Sequence, residues 1–148
     1  MIKIISESTD KTEKIGFELA QRLKYGTVVA MFGDLGAGKT AFTRGFAKGM
    51  GINADVSSPT FALVNEYRSG KKVLYHFDMY RITSWDDLYS TGYFEFLDEG
   101  ASMIIEWSEN IENVLPEDSV KIHINKTEKD NERIIEIYGC DNLEITGI

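Results

Sequence analysis

A glycine-rich segment at residues 33–40, GDLGAGKT, limits what this chain can fold into more than any other feature. It fits G-x-x-x-x-G-K-[ST], a loop whose backbone N–H groups surround the phosphates of a nucleotide. Residues 25–32 before it have the pattern of a turn and a short buried strand, and residues 41–48 after it have apolar side chains at helical spacing. A strand, the loop and a helix in this order form the setting that the motif requires. The segment therefore predicts a loop that binds nucleotide phosphates.

The residue types within this loop have distinct expected roles. Lys39 is expected to reach the β- and γ-phosphates, and the hydroxyl of Thr40 is expected to bind Mg²⁺. The loop amides converge at the N-terminus of the following helix, where the helix dipole also favours negative charge. Small residues keep the loop open to the phosphates, and along the chain they are Gly33, Gly36, Ala37 and Gly38.

Two acidic residues follow apolar, strand-like segments. Glu106 comes after the apolar run at 103–105, and Asp78 comes after residues 74–77. Strand-terminal acids in an α/β sheet point into the crevice where ligands bind. We therefore expect Glu106 to serve the metal, usually through water, and Asp78 to orient the attacking water or contact the metal. With Lys39, these are the candidate catalytic residues; simple exposure at a strand end is the competing interpretation for either acid alone.

Three further features lie near these acids in the sequence. Residues 57–61, SSPTF, either carry a hydroxyl that senses the γ-phosphate or form an ordinary proline turn. His76 is better explained as a satisfied core imidazole than as a catalytic group. Trp107 fits a wall of the nucleotide site and core packing equally well.

The length of 148 residues predicts one domain, residues 1–148, with a sizeable hydrophobic core. No apolar run approaches the roughly 20 residues needed to span a bilayer, and the first residues turn polar too soon for a signal peptide. The single cysteine, Cys140, predicts a packed thiol in a reducing compartment. These features predict a cytoplasmic protein without membrane association.

The charge balance restricts the class of partner. The formal net charge of −8 opposes independent, high-affinity binding to a nucleic-acid backbone, because such binding needs clustered Lys and Arg. If the protein serves RNA chemistry, we expect it to act through a protein partner.

The order of elements predicts an α/β fold: a P-loop NTPase-like central mixed sheet flanked by helices, with parallel strands around the loop and antiparallel hairpins at the edges. Residues 1–6 are expected to form an edge strand. Residues 8–10 are expected to cap a helix ending near residue 24, with Glu13 at capping-box spacing from Asp10. The other expected elements are hairpin strands at 61–67 and 73–77, helices at 85–89 (capped by Ser84) and 93–97, a central strand at 103–105, and hairpin strands at 120–124 and 133–138. Residues 141–148 show no usable pattern.

Four segments in this order resemble the bacterial TsaE (YjeE) family, the small ATPase of tRNA threonylcarbamoyladenosine synthesis. They are GDLGAGKT at 33–40, SPTF at 58–61, HFDMYR at 76–81 and IEW at 105–107. The resemblance covers nearly the whole chain. The last three segments make it specific, because the phosphate loop alone is shared with very many families.

The resemblance implies ATP and Mg²⁺ as cofactors, with weak ATP hydrolysis by the protein alone. It also implies action with TsaD, which transfers the threonylcarbamoyl group, and with TsaB, its structural partner. The modified tRNA base would then be reached only indirectly, through that complex.

The resemblance also implies roles for individual residues. Residues 35–40, beginning with Leu35, would hold the phosphates, Thr40 and Glu106 would serve Mg²⁺, and Asp78 would support hydrolysis. Two further positions are implied to lie near the nucleotide: Thr9 at the start of the first helix and Arg133 in the terminal hairpin.

Three other classes of protein compete with this assignment. A GTPase is suggested by NKTE at 125–128, but the last carboxylate is one carbon too long for N-K-x-D and the chain has no D-x-x-G. A small-molecule or nucleoside kinase needs an acceptor pocket and usually an Arg-bearing lid, and the few Arg residues here are not clustered. A non-catalytic nucleotide-binding subunit, whose ATP merely stabilises a complex, stays open.

Overall fold

A mixed β-sheet forms the centre of the protein in a computed structural model, which describes residues 1–33, 38–59 and 63–140. Within those residues the strands are β1 (Ile2–Ser6), β2 (Val28–Gly33), β3 (Val64–Ser69), β4 (Lys72–Asp78), β5 (Ser102–Glu106), β6 (Val120–Lys126) and β7 (Arg133–Tyr138). The helices are α1 (Thr9–Arg22), α2 (Lys39–Gly49), α3 (Trp85–Ser90) and α4 (Tyr93–Asp98), with a 3₁₀ segment at Ser108–Val114. The seven strands lie in the order β1-β7-β6-β2-β5-β4-β3.

The middle of the sheet is parallel and its edges are antiparallel. Strand β2 pairs in parallel with β5 and β6, and β4 pairs in parallel with β5. Antiparallel pairing joins β3 to β4, β6 to β7, and β7 to β1. Every residue of β5 is buried, as expected for a strand covered on both faces. The structure therefore confirms the predicted α/β class with edge hairpins.

Helices cover both faces of this sheet. On one face, apolar side chains of α1 and α2, including Ile15, Leu19 and Phe42, pack against the sheet in one buried cluster. On the other face, Leu88 of α3 and Tyr93 of α4 belong to a second cluster. Alternate residues of each central strand feed the two clusters, because successive side chains in a strand point to opposite faces.

Helix α1 begins as predicted, with one of its two predicted capping contacts. The Lys11 N–H donates to the Ser8 hydroxyl at 3.0 Å, so Ser8 is the N-cap, and the helix ends at Arg22 rather than near residue 24. The capping-box prediction for Glu13 is wrong. Its carboxylate pairs instead with Lys48 at 2.5 Å and with Arg44 at 3.5 Å, because α2 presents two cations to it.

Glycines allow α1 and α2 to touch backbone to backbone. A Cβ atom at Gly45 of α2 would lie 1.7 Å from the carbonyl oxygen of Glu13, and a Cβ atom at Gly16 of α1 would lie 2.3 Å from that of Phe42. Both distances are far below an ordinary contact. This approach fixes the position of α2, and therefore of the lysine and threonine with which it begins.

The shorter elements match the predictions with two differences. Ser84 accepts from the Asp87 N–H at 3.1 Å and so caps α3 as expected. Strand β3 begins at Val64 because Leu63 has a left-handed backbone, with φ 60°; residues 60–62 and 141–148 lie outside the described part. The 3₁₀ segment was not predicted, since its short sequence has no periodic pattern. None of the helices in the described residues has the length and apolar character needed to cross a bilayer.

Candidate nucleotide-binding site

The start of α2 is suited to an anionic ligand. Strand β2 ends at Gly33, and α2 begins at Lys39 after Gly38, whose φ of 104° is in the left-handed region. Among the described residues, no side chain caps this helix, and its first turn has no acid. A carboxylate of the helix itself therefore does not compete with an anionic ligand for the positive end of the helix dipole. The predicted phosphate-binding residues Leu35, Gly36 and Ala37 lie outside the described residues.

Lys39 lies in a well-defined position beside this helix start. The residue is only 5% exposed, and its ammonium group donates to the carbonyl oxygen of Gly33 at 2.9 Å. The same ammonium lies 4.5 Å from the ring centre of Trp107, within cation–π range. Trp107 follows β5 directly and has a left-handed backbone, with φ 58°. Trp107 therefore flanks the loop lysine; its contact with a nucleotide stays a prediction.

The hydroxyl of Thr40 is engaged with the segment that follows α2. The oxygens of the Thr40 and Ser58 side chains are 2.8 Å apart. Ser58 belongs to the SSPTF segment, of which residues 60 and 61 lie outside the described part. The structure thus brings a second hydroxyl to the candidate metal ligand, and sensing of the γ-phosphate by this segment stays a prediction.

Asp78 and Glu106 lie side by side at the ends of adjacent strands. They are register partners in the parallel pairing of β4 with β5. Glu106 is 4% exposed, whereas Asp78 is half-buried and accepts from the Tyr80 N–H at 2.9 Å. Burial raises the pKa of Asp78, the Tyr80 N–H opposes this shift, and the negative charge of Glu106 adds to it. Lys39 lowers the pKa of Asp78 by its charge, so the loop lysine acts electrostatically on this acid.

His76 is buried in the core, as the sequence favoured, but it also contacts the site. Its side chain is fully buried, and its Nε2 atom is 2.5 Å from Oε2 of Glu106. Its Nδ1 atom is 3.0 Å from the hydroxyl of Tyr67. Sequence reasoning missed this contact because nothing in the local pattern pairs residue 76 with residue 106.

Glu109 is a second residue that the sequence did not single out. Its carboxylate accepts from the Gly33 N–H at 3.1 Å, so it binds the first residue of the glycine-rich pattern. The neighbouring Asn110 donates to the carbonyl oxygen of Met79 at 2.7 Å. The 3₁₀ segment therefore connects the ends of β2 and β4. No sequence motif predicts this connection.

Thr9 and Arg133 lie at the same end of the sheet as the loop. Thr9 begins α1, and one turn later the Thr12 side chain lies 3.7 Å from where a Cβ atom of Gly38 would be. Arg133 pairs with Ser6 across β7 and β1, and its guanidinium donates to the carbonyl oxygen of Glu132 at 2.8 Å. Their contact with a nucleotide stays a prediction.

The oxygen donors near the start of α2 suit Mg²⁺, a metal ion that is usually bound by few protein ligands together with water and phosphate. Among the described residues, no three His, Cys, Asp or Glu side chains come together to hold a metal ion. Mg²⁺ commonly keeps several waters and binds through one or two carboxylates plus phosphate oxygens. The hydroxyl of Thr40 and the carboxylates of Asp78 and Glu106 are hard oxygen donors of this kind, so the residues present fit that ion.

Comparison with known proteins identifies the family. A model of the threonylcarbamoyl adenosine biosynthesis protein TsaE matches residues 6–135. The chain belongs to the TsaE family. The tRNA threonylcarbamoyladenosine biosynthesis protein TsaE of Bacillus subtilis is 39% identical over 125 residues, which cover 84% of this chain and 78% of that protein. Its counterpart in Treponema pallidum is 36% identical over 133 residues, which cover 90% of this chain and 98% of that protein.

A solved structure agrees with this membership. The crystal structure of Bacillus subtilis YdiB matches with a TM-score of 0.73 and 36% identity, over 90% of this chain and 82% of that one. The resemblance to TsaE inferred from four segments is therefore confirmed. In the folded chain, two of these TsaE segments, HFDMYR and IEW, extend from the ends of β4 and β5, where the strands place Asp78 beside Glu106.

Proposed function

We propose that this TsaE-family protein binds ATP with Mg²⁺ and hydrolyses the ATP in support of threonylcarbamoyladenosine modification of tRNA. One observation carries the proposal: Lys39 and Thr40, at the start of α2, share one end of the sheet with Asp78 and Glu106. A lysine and a hydroxyl at a helix N-terminus, opposed by strand-terminal acids, form the usual arrangement for a Mg²⁺–nucleoside triphosphate.

The side chains have definite roles in this proposal. When the nucleotide binds, the Lys39 ammonium leaves the Gly33 carbonyl oxygen and contacts phosphate oxygens. The Thr40 hydroxyl leaves Ser58 and binds the metal. When bound, Mg²⁺ supplies positive charge that neutralises the phosphate oxygens. Asp78, whose pKa is raised by burial, accepts a hydrogen bond from the attacking water and orients it. Leu35, Gly36, Ala37, Thr9 and Arg133 are proposed to complete the nucleotide contacts.

Hydrolysis is proposed to drive a conformational cycle in partner proteins and not to carry out the tRNA chemistry. The net charge of −8 gives no basis for independent tRNA binding, so TsaD and TsaB are the proposed partners. A cytoplasmic location is part of the proposal, because translation uses the modified tRNA there.

Reconstitution tests the proposed activity. The chain is mixed with TsaB, TsaD, tRNA and threonylcarbamoyl-adenylate, with and without ATP, and modified tRNA is counted per complex. Multiple rounds of modification that require both this chain and ATP are expected. Hydrolysis at background level in the full mixture would instead indicate a non-catalytic subunit, and phosphate transfer to a small metabolite would indicate a kinase.

Variants separate ATP binding from turnover. Lys39→Ala is expected to abolish binding or turnover, because the ammonium that reaches the phosphates is lost. Glu106→Gln is expected to reduce turnover more than binding, since only one contact to the metal shell changes. Lys14→Ala and Glu117→Gln change exposed residues of the same type and serve as matched controls. Normal hydrolysis by Glu106→Gln in the complex would refute the metal assignment.

A further inference from the structure

A continuous chain of hydrogen bonds runs behind the candidate metal ligands. Nε2 of His76 is 2.5 Å from Glu106, and Nδ1 of His76 is 3.0 Å from the Tyr67 hydroxyl. The Tyr67 hydroxyl is also 3.1 Å from the carbonyl oxygen of Ser57. The next residue, Ser58, reaches the hydroxyl of Thr40. The two candidate metal ligands are thus joined through the protein as well as through the site.

The three central members of this chain are buried. His76 is 0% exposed, Glu106 4% and Tyr67 6%. Buried polar atoms are costly unless they are hydrogen-bonded, and no buried side-chain nitrogen or oxygen of the described residues lacks a partner. Each group therefore has few alternative orientations, and the position of Glu106 depends on the groups behind it.

The donors and acceptors can be assigned from chemistry. An ionised Glu106 can only accept, so His76 donates from Nε2. The Tyr67 hydroxyl lies within hydrogen-bond distance of both Nδ1 of His76 and the Ser57 carbonyl oxygen. Nδ2 of Asn65 lies 3.0 Å from the same carbonyl oxygen and 3.3 Å from the Tyr67 hydroxyl. Tyr67 and the Ser57–Ser58 segment therefore stay joined whichever acceptor receives the phenol hydrogen.

We propose that His76 and Tyr67 are positioning residues that hold the Glu106 carboxylate and tie it to the Ser57–Ser58 segment. The inference rests on the proposed function, since it gives Glu106 its place beside the metal. Groups that orient a metal-binding side chain from behind typically change metal affinity or activity by about 10–100-fold when removed. Loss of the Tyr67 hydroxyl should therefore raise the Mg²⁺ concentration that tight ATP binding requires.

Tyr67→Phe tests this with a closely matched control. Tyr93→Phe also removes a buried phenol hydroxyl, one that donates to the Val114 carbonyl at 2.8 Å and belongs to the core cluster on the other face of the sheet. ATP binding is measured by calorimetry over a range of Mg²⁺ concentrations and in EDTA. For Tyr67→Phe, the Mg²⁺ concentration needed for half of the metal-dependent gain in affinity should rise about tenfold or more. It should not change for Tyr93→Phe.

The conservative variant of the histidine gives a second comparison. His76→Gln retains an N–H donor for Glu106, whereas His76→Ala retains none. The Mg²⁺ response of His76→Gln should lie between those of the wild type and His76→Ala. Equal responses from the two variants, or a wild-type response from Tyr67→Phe, would overturn the inference.

A measurement on the metal-free protein needs no variant. Nitrogen-15 NMR of the imidazoles should show a proton at Nε2 of His76, the ring nitrogen that faces Glu106. An Nε2 atom without a proton would overturn the inference even if ATP binds as proposed. Absence of any Mg²⁺-dependent ATP binding in the wild type would instead refute the proposed function, and the NMR result would still decide the positioning of His76.

Discussion

Replacing Gly45 with alanine is expected to lower the free energy of unfolding by about 2 kcal/mol. In a helix without tertiary contacts the same change would stabilise by about 1 kcal/mol, because alanine is the better helix former. Here the new Cβ atom would lie 1.7 Å from the backbone carbonyl oxygen of Glu13. Neither helix backbone can rotate away like a side chain, so α1 and α2 must separate.

The size of the effect follows from these opposing terms. Overpacking a core typically costs about 1–3 kcal/mol, and a collision between two backbones belongs at the upper end of that range. Subtracting the gain in helix propensity leaves about 2 kcal/mol. Gly16→Ala should cost less, because its Cβ atom would be 2.3 Å from the nearest atom and would require a smaller separation.

Urea unfolding followed by far-ultraviolet circular dichroism measures both changes. Lys14→Ala, at an exposed position of α1, is the control and should stay within about 0.5 kcal/mol of the wild type. A Gly45→Ala protein as stable as the wild type, or more stable, would refute the backbone-to-backbone approach of α1 and α2.

Two other predictions concern charges near α2. Glu13→Gln should cost up to about 1 kcal/mol at neutral pH, because Lys48 foremost holds the pKa of Glu13 below its ordinary value of 4.5. The ion pair stabilises the folded protein fully above pH 4.5, and this stabilisation is lost as the pH falls through the lower pKa of Glu13 in the folded protein. A difference in urea midpoint between the wild type and Glu13→Gln that persists in acid would contradict the ion pair. MgATP should change the fluorescence of Trp107, since Lys39 moves from the ring to the phosphates. Trp85, which is 60% exposed, is replaced by Phe to isolate that signal, and unchanged emission at saturation would contradict the movement of the lysine.

Local patterns were sufficient to predict most of the fold. The strand before the glycine-rich loop, the helix after it and both edge hairpins depend on periodicity and turn residues within short windows. The position of Asp78 beside Glu106 was also predictable in outline, because parallel strands end at one edge of the sheet. Their direct pairing in register needed the structure.

Contacts between distant segments could not be predicted from such windows. The ion pair of Glu13 with Lys48 replaced the predicted capping box because it depends on how α1 meets α2. The bond between His76 and Glu106 depends on the register of two strands separated by the 23 residues 79–101. Glu109 contacts the loop only because the unpredicted 3₁₀ segment returns it to Gly33.

The strand order also determines when the site can exist during synthesis. The loop follows β2, which leaves the ribosome early, but both neighbours of β2 are made much later: Val28 pairs with Met103, and Val29 pairs with Val120. Strand β1 must wait longer still, because its partner is β7. The nascent chain therefore holds the residues of the glycine-rich loop without the sheet that orients them, and the proposed nucleotide site can form only when nearly all of its strands have emerged.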